Sequence, residues 1–292
     1  MFRKICLCLL AVCVMIAFSA TVFAGDKKKE TKKGILLVCF GTSVPEAQAA
    51  FQNIEEKVKA SFPNVPIRWA YTSHIIRQKL AKEGKQLDSV ETAMAKMMDE
   101  GFTQVAVQSF HIIGGEEFDG MYKNVNLFSE MSEGIENITI GYPLLGTQED
   151  MEKVSNAIIE NIPKERKKYE AIVLMGHGTP HPGNAFYAAL MFQLQQKDPN
   201  IFVGTVEGYP TIEEIKDMML KKKIKKVYLM PFTAVAGDHA RNDMAGDEPD
   251  SWKSILTKAE ITCVPILKGS AEYDNIVAIW IDHLKKAFAQ FK

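Results

Sequence analysis

Three residues in the second half of the chain, His177, Glu207 and His239, are of the types that bind a divalent metal or move a proton near neutral pH. Each follows a short apolar run. His177 closes the run in AIVLMGHGTPHPG (171–183), Glu207 stands in VEGYP behind residues 201–206, and His239 lies in AVAGDHARNDM behind residues 226–230. Two imidazoles and a carboxylate suit a borderline ion such as Co²⁺, Fe²⁺, Ni²⁺ or Zn²⁺ and leave coordination positions open. The same groups are the usual general bases. Glycines on both sides of His177 let the backbone bend sharply or approach a ligand closely. Taken singly, each residue also has a plainer reading: His177 as a loop hydrogen-bonder, His239 as a solvated residue in a helix start capped by Asp238.

Residues 30 and 32 positions apart meet only if the fold carries them to one edge. From residue 34 the pattern alternates between β-rich runs and amphipathic helices. Strands are expected over 34–40, 66–71, 102–110, 135–140, 171–175, 201–206, 226–230 and 261–267. Helices are expected over 45–61, 74–82, 89–100, 116–131, 153–161, 185–195, 212–220 and 276–288. Such alternation means βαβ units and parallel sheets, whose ligands bind beyond the carboxyl ends of the strands.

The pattern also repeats. ILLVCFGT (35–42) matches IVLMGHGT (172–179), QVAVQSFHIIGGEE (104–117) matches KVYLMPFTAVAGDH (226–239), and the same superposition pairs Tyr71 with Glu207. The chain therefore reads as two copies of one α/β domain. Where the first copy has Phe40, Tyr71 and Glu117, the second has His177, Glu207 and His239.

Other features carry less. His111 ends a strand of the first half and either lines the opposite wall of a cleft or makes a local loop contact; His181 rims the site. His74 and His283 fall on expected helices as structural or surface residues, and Glu116 and Glu117 begin a helix where acidic side chains favour the dipole. Met94, Met97 and Met98 have helical spacing and read as core. A net charge of −1, with 47% hydrophobic and 24% charged residues, describes an ordinary globular chain and gives no nucleic-acid footprint. No Gly-x-Gly-x-x-Gly or phosphate loop occurs, so no nucleotide cofactor is expected.

The front of the chain differs. Arg3 and Lys4, an apolar run over 5–18 and the small-residue pattern ending at Ala24 read as a secretory signal peptide over residues 1–24, with an uncleaved anchor or a lipoprotein at Cys13 as alternatives. Residues 25–33 form a lysine-rich polar leader. A periplasmic protein is expected. Of five cysteines only Cys39 and Cys263 lie beyond the signal, and both read as buried thiols rather than a disulfide.

The segments LVCFGTS, VAVQSFHIIGGEEF, GYPLL, LMGHGTPH, VEGYP and LMPFTAVAGDHARNDMAGDEPDSW, with the terminal helix, resemble the ATP-independent anaerobic (class II) sirohydrochlorin cobalt chelatases of cobalamin synthesis. The resemblance runs from about residue 34 to the end. It implies a class II chelatase fold: two similar Rossmann- or flavodoxin-like α/β lobes over 34–145 and 146–270, a cleft between them for the tetrapyrrole, and a terminal helix over 271–292 packing back on the first lobe. It further implies that His177, Glu207 and His239 bind the incoming metal, that His177 accepts a pyrrole proton, and that His111, Gly114 and Tyr209 line the cleft. The implied reaction is insertion of Co²⁺, with Fe²⁺ or Ni²⁺ as alternatives, by an enzyme that self-associates. The export signal departs from that family, whose pathway is cytoplasmic, and keeps a periplasmic metal- or haem-carrying protein open as the other reading.

Overall fold

The computed structural model of the chain describes residues 30–291. The signal reading and the leader up to residue 29 lie outside the described residues.

Eight strands form two four-stranded parallel sheets among the described residues. The first holds β1 (Lys33–Cys39), β2 (Ile67–Tyr71), β3 (Gln104–Ser109) and β4 (Asn137–Gly141) in the order β2-β1-β3-β4. The second holds β5 (Ala171–Gly176), β6 (Ile201–Thr205), β7 (Lys226–Pro231) and β8 (Thr262–Pro265) in the order β6-β5-β7-β8. The two orders are identical, so the internal repeat in the sequence is a repeat of topology. In each sheet the central strand is apolar on both faces: Ile35, Leu37 and Cys39 enter one core while Leu36 and Val38 enter another. A strand covered by helices on both sides requires that continuous apolar run.

Helices connect the strands: α1 (Ala49–Ser61), α2 (His74–Lys82), α3 (Val90–Asp99) and α4 (Glu116–Leu127) in the first lobe, α5 (Gln148–Asn161) between lobes, then α6 (Ala185–Lys197), α7 (Ile212–Lys221) and α8 (Trp252–Lys258). α9 (Asp274–Phe288) ends the chain and lies over β3, β4 and α5. One core joins residues of both lobes to α9, with Phe110, Tyr228 and Trp280 among its largest buried side chains. Two further cores line the outer faces of the sheets.

Several boundaries differ from the periodicity. β1 begins at Lys33, which pairs with Gln104, and Lys32 donates its backbone N–H to the Thr103 hydroxyl at 3.0 Å, so the end of the polar leader already belongs to the sheet. α5 starts at Gln148 because Thr147 accepts from the Asp150 N–H as a cap. α4 stops at Leu127, where the Ile135 N–H reaches back to the Phe128 carbonyl. α8 has only seven residues, too short for a periodic signal, yet its Trp252 fills the space left by Gly204 in β6, where a Cβ would stand 3.0 Å from the indole. Among the described residues Cys39 and Cys263 are free thiols, the first buried and the second half-buried.

Candidate metal centre

The ends of β5, β6 and β7 bring His177, Glu207 and His239 together. Their ligand atoms all lie within 4.8 Å of one another, although they come from three separate strand ends. His177 Nδ1 stands 3.9 Å from Glu207 Oε2, and the two imidazole rings meet edge to face with centroids 4.7 Å apart.

The local sequence explains the convergence. Gly176 leaves room for the Tyr187 ring, which a Cβ would meet at 2.4 Å. Tyr187 is buried against the backbone of His177 and Gly178, and burial pushes its phenol up to about 12. Gly178 has φ +85°, and a Cβ there would lie 2.5 Å from the Gly208 nitrogen and 2.9 Å from the Glu207 carbonyl carbon. The loops after β5 and β6 thus touch backbone to backbone, and the Glu207 N–H donates to the His177 carbonyl at 2.8 Å. Asn184 ties the same loops by donating to the Tyr209 carbonyl at 2.7 Å and accepting from the Thr179 N–H at 3.2 Å.

His239 stands where the loop after β7 enters a π-helical turn, Ala240–Met244. A helical turn does start here, but Asp238 does not cap it: no side chain caps the turn, and the Asp238 carboxylate accepts from the Asn242 side chain instead. His239 is half-buried and turned into the triad rather than solvated. Its Nδ1 lies 2.5 Å from Asp243 Oδ2. His177 donates from Nδ1 to the Gly178 carbonyl at 2.9 Å. A carbonyl and a carboxylate only accept, so in both rings Nδ1 carries a proton, and Nε2 is the nitrogen whose lone pair a neutral ring would offer to a metal ion. Two Nε2 atoms and a carboxylate are a neutral-to-anionic donor set suited to a divalent cation of borderline softness. Asp243 is the residue that the sequence reading passed over; its signal was the four-residue spacing from His239 on a helical turn.

The first lobe closes the other side. The Phe40 ring stands 6.1 Å from that of His177, and the loop after β3 meets the loop after β5 so closely that a Cβ on Gly183 would lie 2.0 Å from the Gly114 carbonyl oxygen. Two polar contacts cross between lobes: His181 Nε2 lies 3.3 Å from the Asp119 carboxylate, and Arg241 pairs with Glu46 at 3.7 Å. His111 sits at the end of β3, with Nδ1 2.8 Å from the Ser109 hydroxyl and Nε2 3.5 Å from that of Thr72. Burial holds its imidazole down at about 4, so it is neutral at physiological pH. Tyr209, two residues beyond Glu207, is exposed. Of the three residues expected along the cleft, Gly114 is brought against the loop that carries His177, whereas His111 is engaged within its own lobe.

Comparisons with known proteins agree with this geometry. A family profile described as "Cobalt chelatase (CbiK)" matches residues 33–289. The sirohydrochlorin cobaltochelatase CbiKC of Nitratidesulfovibrio vulgaris is 43% identical over 257 residues, covering 88% of this chain and 91% of that protein. The sirohydrochlorin cobaltochelatase of Salmonella typhimurium is 35% identical over 258 residues, covering 88% of this chain and 96% of that one. Among solved structures, SirB from Bacillus subtilis with Fe³⁺ superimposes with a TM-score of 0.58 at 16% identity, over 90% of this chain and 99% of its own, a likeness of fold. With a profile that spans nearly the whole described chain and relatives above one third identity, the chain belongs to the CbiK family of cobalt chelatases.

Proposed function

We propose that the protein inserts Co²⁺ into sirohydrochlorin without nucleotide hydrolysis, releasing two protons, and that it does so outside the cytoplasm. The observation that carries this reading is the triad: three donor atoms within 4.8 Å at the mouth between two lobes, in a chain of the cobalt chelatase family. Its relatives above one third identity are named for this reaction.

The chemistry follows from the free lone pairs. Insertion requires that the ion shed part of its water, that two pyrrole N–H protons leave, and that the ion pass to the ring nitrogens. His177, Glu207 and His239 replace water on one face of the ion and leave the other face open. As each metal–imidazole bond gives way to a metal–pyrrole bond, Nε2 regains its lone pair and can take the displaced pyrrole proton. His177 is the acceptor we assign. Proton and metal thereby exchange places, with the second proton passing to solvent. The export reading rests on residues 1–24, and self-association on family kinship.

The test is metallated product formation followed by absorbance, with purified protein, sirohydrochlorin and Co²⁺. Many turnovers by the wild type and their loss in His177→Ala are expected. Stoichiometric binding without turnover, indifferent to that substitution, would replace the enzyme with a carrier built on the same cleft.

A further inference from the structure

The two histidines of the triad are backed differently. His177 Nδ1 donates to a neutral acceptor, the Gly178 carbonyl, whereas His239 Nδ1 donates to a charged one, the Asp243 carboxylate. When Nε2 of an imidazole binds a dication, positive charge flows into the ring and onto the Nδ1–H. A carboxylate facing that proton stabilises the bound state and holds the ring in its binding orientation; a carbonyl does so less.

We propose that Asp243 is a positioning residue that makes His239, rather than His177, the ligand that retains the incoming metal ion. The assignment rests on the chelatase reading and deepens it by dividing the labour of the two imidazoles. The local structure supports it. Asp243 belongs to the π-helical turn that follows His239, and the turn is anchored from below by buried Ala240 and Met244. It is tied on either side by Asn242 donating to Asp238 at 2.9 Å and by Arg241, which donates to the Ala236 carbonyl at 3.3 Å and pairs with Glu46. Asp243 itself has no hydrogen-bond or ion-pair partner other than His239 among the described residues. With its side chain 44% exposed, it does little for the core. A turn fixed this firmly around a carboxylate that serves one imidazole is a device for that imidazole.

The experiment is Co²⁺ titration of the purified protein without tetrapyrrole, read by calorimetry and by the visible absorbance of the bound ion. Wild type, Asp243→Ala, Asp243→Asn, His239→Ala and His177→Ala would be compared, with thermal unfolding alongside. Asp243→Ala should weaken Co²⁺ binding about 10–100-fold with an unchanged melting temperature and an unchanged KM for sirohydrochlorin. Asp243→Asn, which keeps an accepting oxygen without the charge, should lose less. His239→Ala should lose more affinity than His177→Ala. Wild-type affinity in Asp243→Ala, or a larger loss in His177→Ala than in His239→Ala, would overturn the assignment while leaving turnover, and so the chelatase reading, intact. A wild type that neither binds nor inserts Co²⁺ would remove both.

Discussion

The two lobes share strand order and parallel sense, and they differ at three strand ends. At the place of His177 the first lobe has Phe40, whose ring leans toward the imidazole. The strand registers correct the expected pairing of Tyr71 with Glu207: Cys39 pairs with Tyr71, whereas its counterpart Gly176 pairs with Thr205. Tyr71, which packs on Phe51 and Trp69 and whose phenol is pushed up by burial, therefore stands at the place of Thr205, and Ser73 stands at that of Glu207. At the place of His239 it has Glu117, exposed in the first turn of α4, where the helix dipole suffices to explain an acidic residue. A cavity of about 240 Å³, lined in part by Tyr71, Arg77 and Glu117, marks that end of the first lobe. Among the described residues, however, His177, Glu207 and His239 are the one group of three that gathers as metal donors. The duplicated fold offers equivalent strand ends twice; among the described residues only the second copy gathers side chains there that could hold a metal ion.

The lobes also differ in what covers them. α9 returns to the first sheet, where Trp280 donates to the His111 carbonyl at 3.3 Å. His283 faces Asp150 at 2.9 Å and the Tyr142 carbonyl at 3.1 Å, with the His283 and Asp150 side chains both buried.

The widest gap between the lobes should appear in turnover. His239→Ala is expected to lower the rate of metal insertion at least about 100-fold, while Glu117→Ala, its first-lobe counterpart, leaves the rate unchanged. Equal losses would mean that both strand ends are reactive. The second contrast concerns stability. His283→Ala strands the Asp150 carboxylate inside the protein and should cost about 3–5 kcal/mol in urea unfolding; a loss below about 1 kcal/mol would mean that α9 is held by apolar packing alone. The smallest effect is one of pH. A folded-state value of about 4 for His111, below its ordinary 6.5, means that the unfolded chain takes up the proton first as pH falls. Its contribution is complete above about 6.5 and drains away toward about 4, on the order of 1–3 kcal/mol. His111→Asn should flatten that part of the stability profile; an unchanged profile would place the acid lability elsewhere.

Most of this architecture was legible from sequence because the strands are long apolar runs and the repeat doubles every signal. The triad was legible for the same reason: comparing copies exposed His177 and His239 opposite Phe40 and Glu117. Glu207 was set against Tyr71, two residues out of the register that the strands adopt, because a short loop follows that strand and carries no periodic signal. What stayed hidden is local and non-periodic. The π-helical turn that places Asp243 under His239 leaves no repeat in the sequence, since one widened turn contributes no pattern of burial. The role of Gly176 as a seat for the Tyr187 ring was equally invisible, because it depends on a helix eleven residues further on folding back over the strand end.

The contact between Gly178 and Gly208 has a mechanical consequence. With no side chain between them, the loops after β5 and β6 form a single block, and His177 and Glu207 travel together. His239 belongs to another block, the π-helical turn after β7. A bulkier residue at position 178 would therefore displace the Glu207–Gly208 backbone and disturb the placement of two members of the triad at once, while leaving the third where it is.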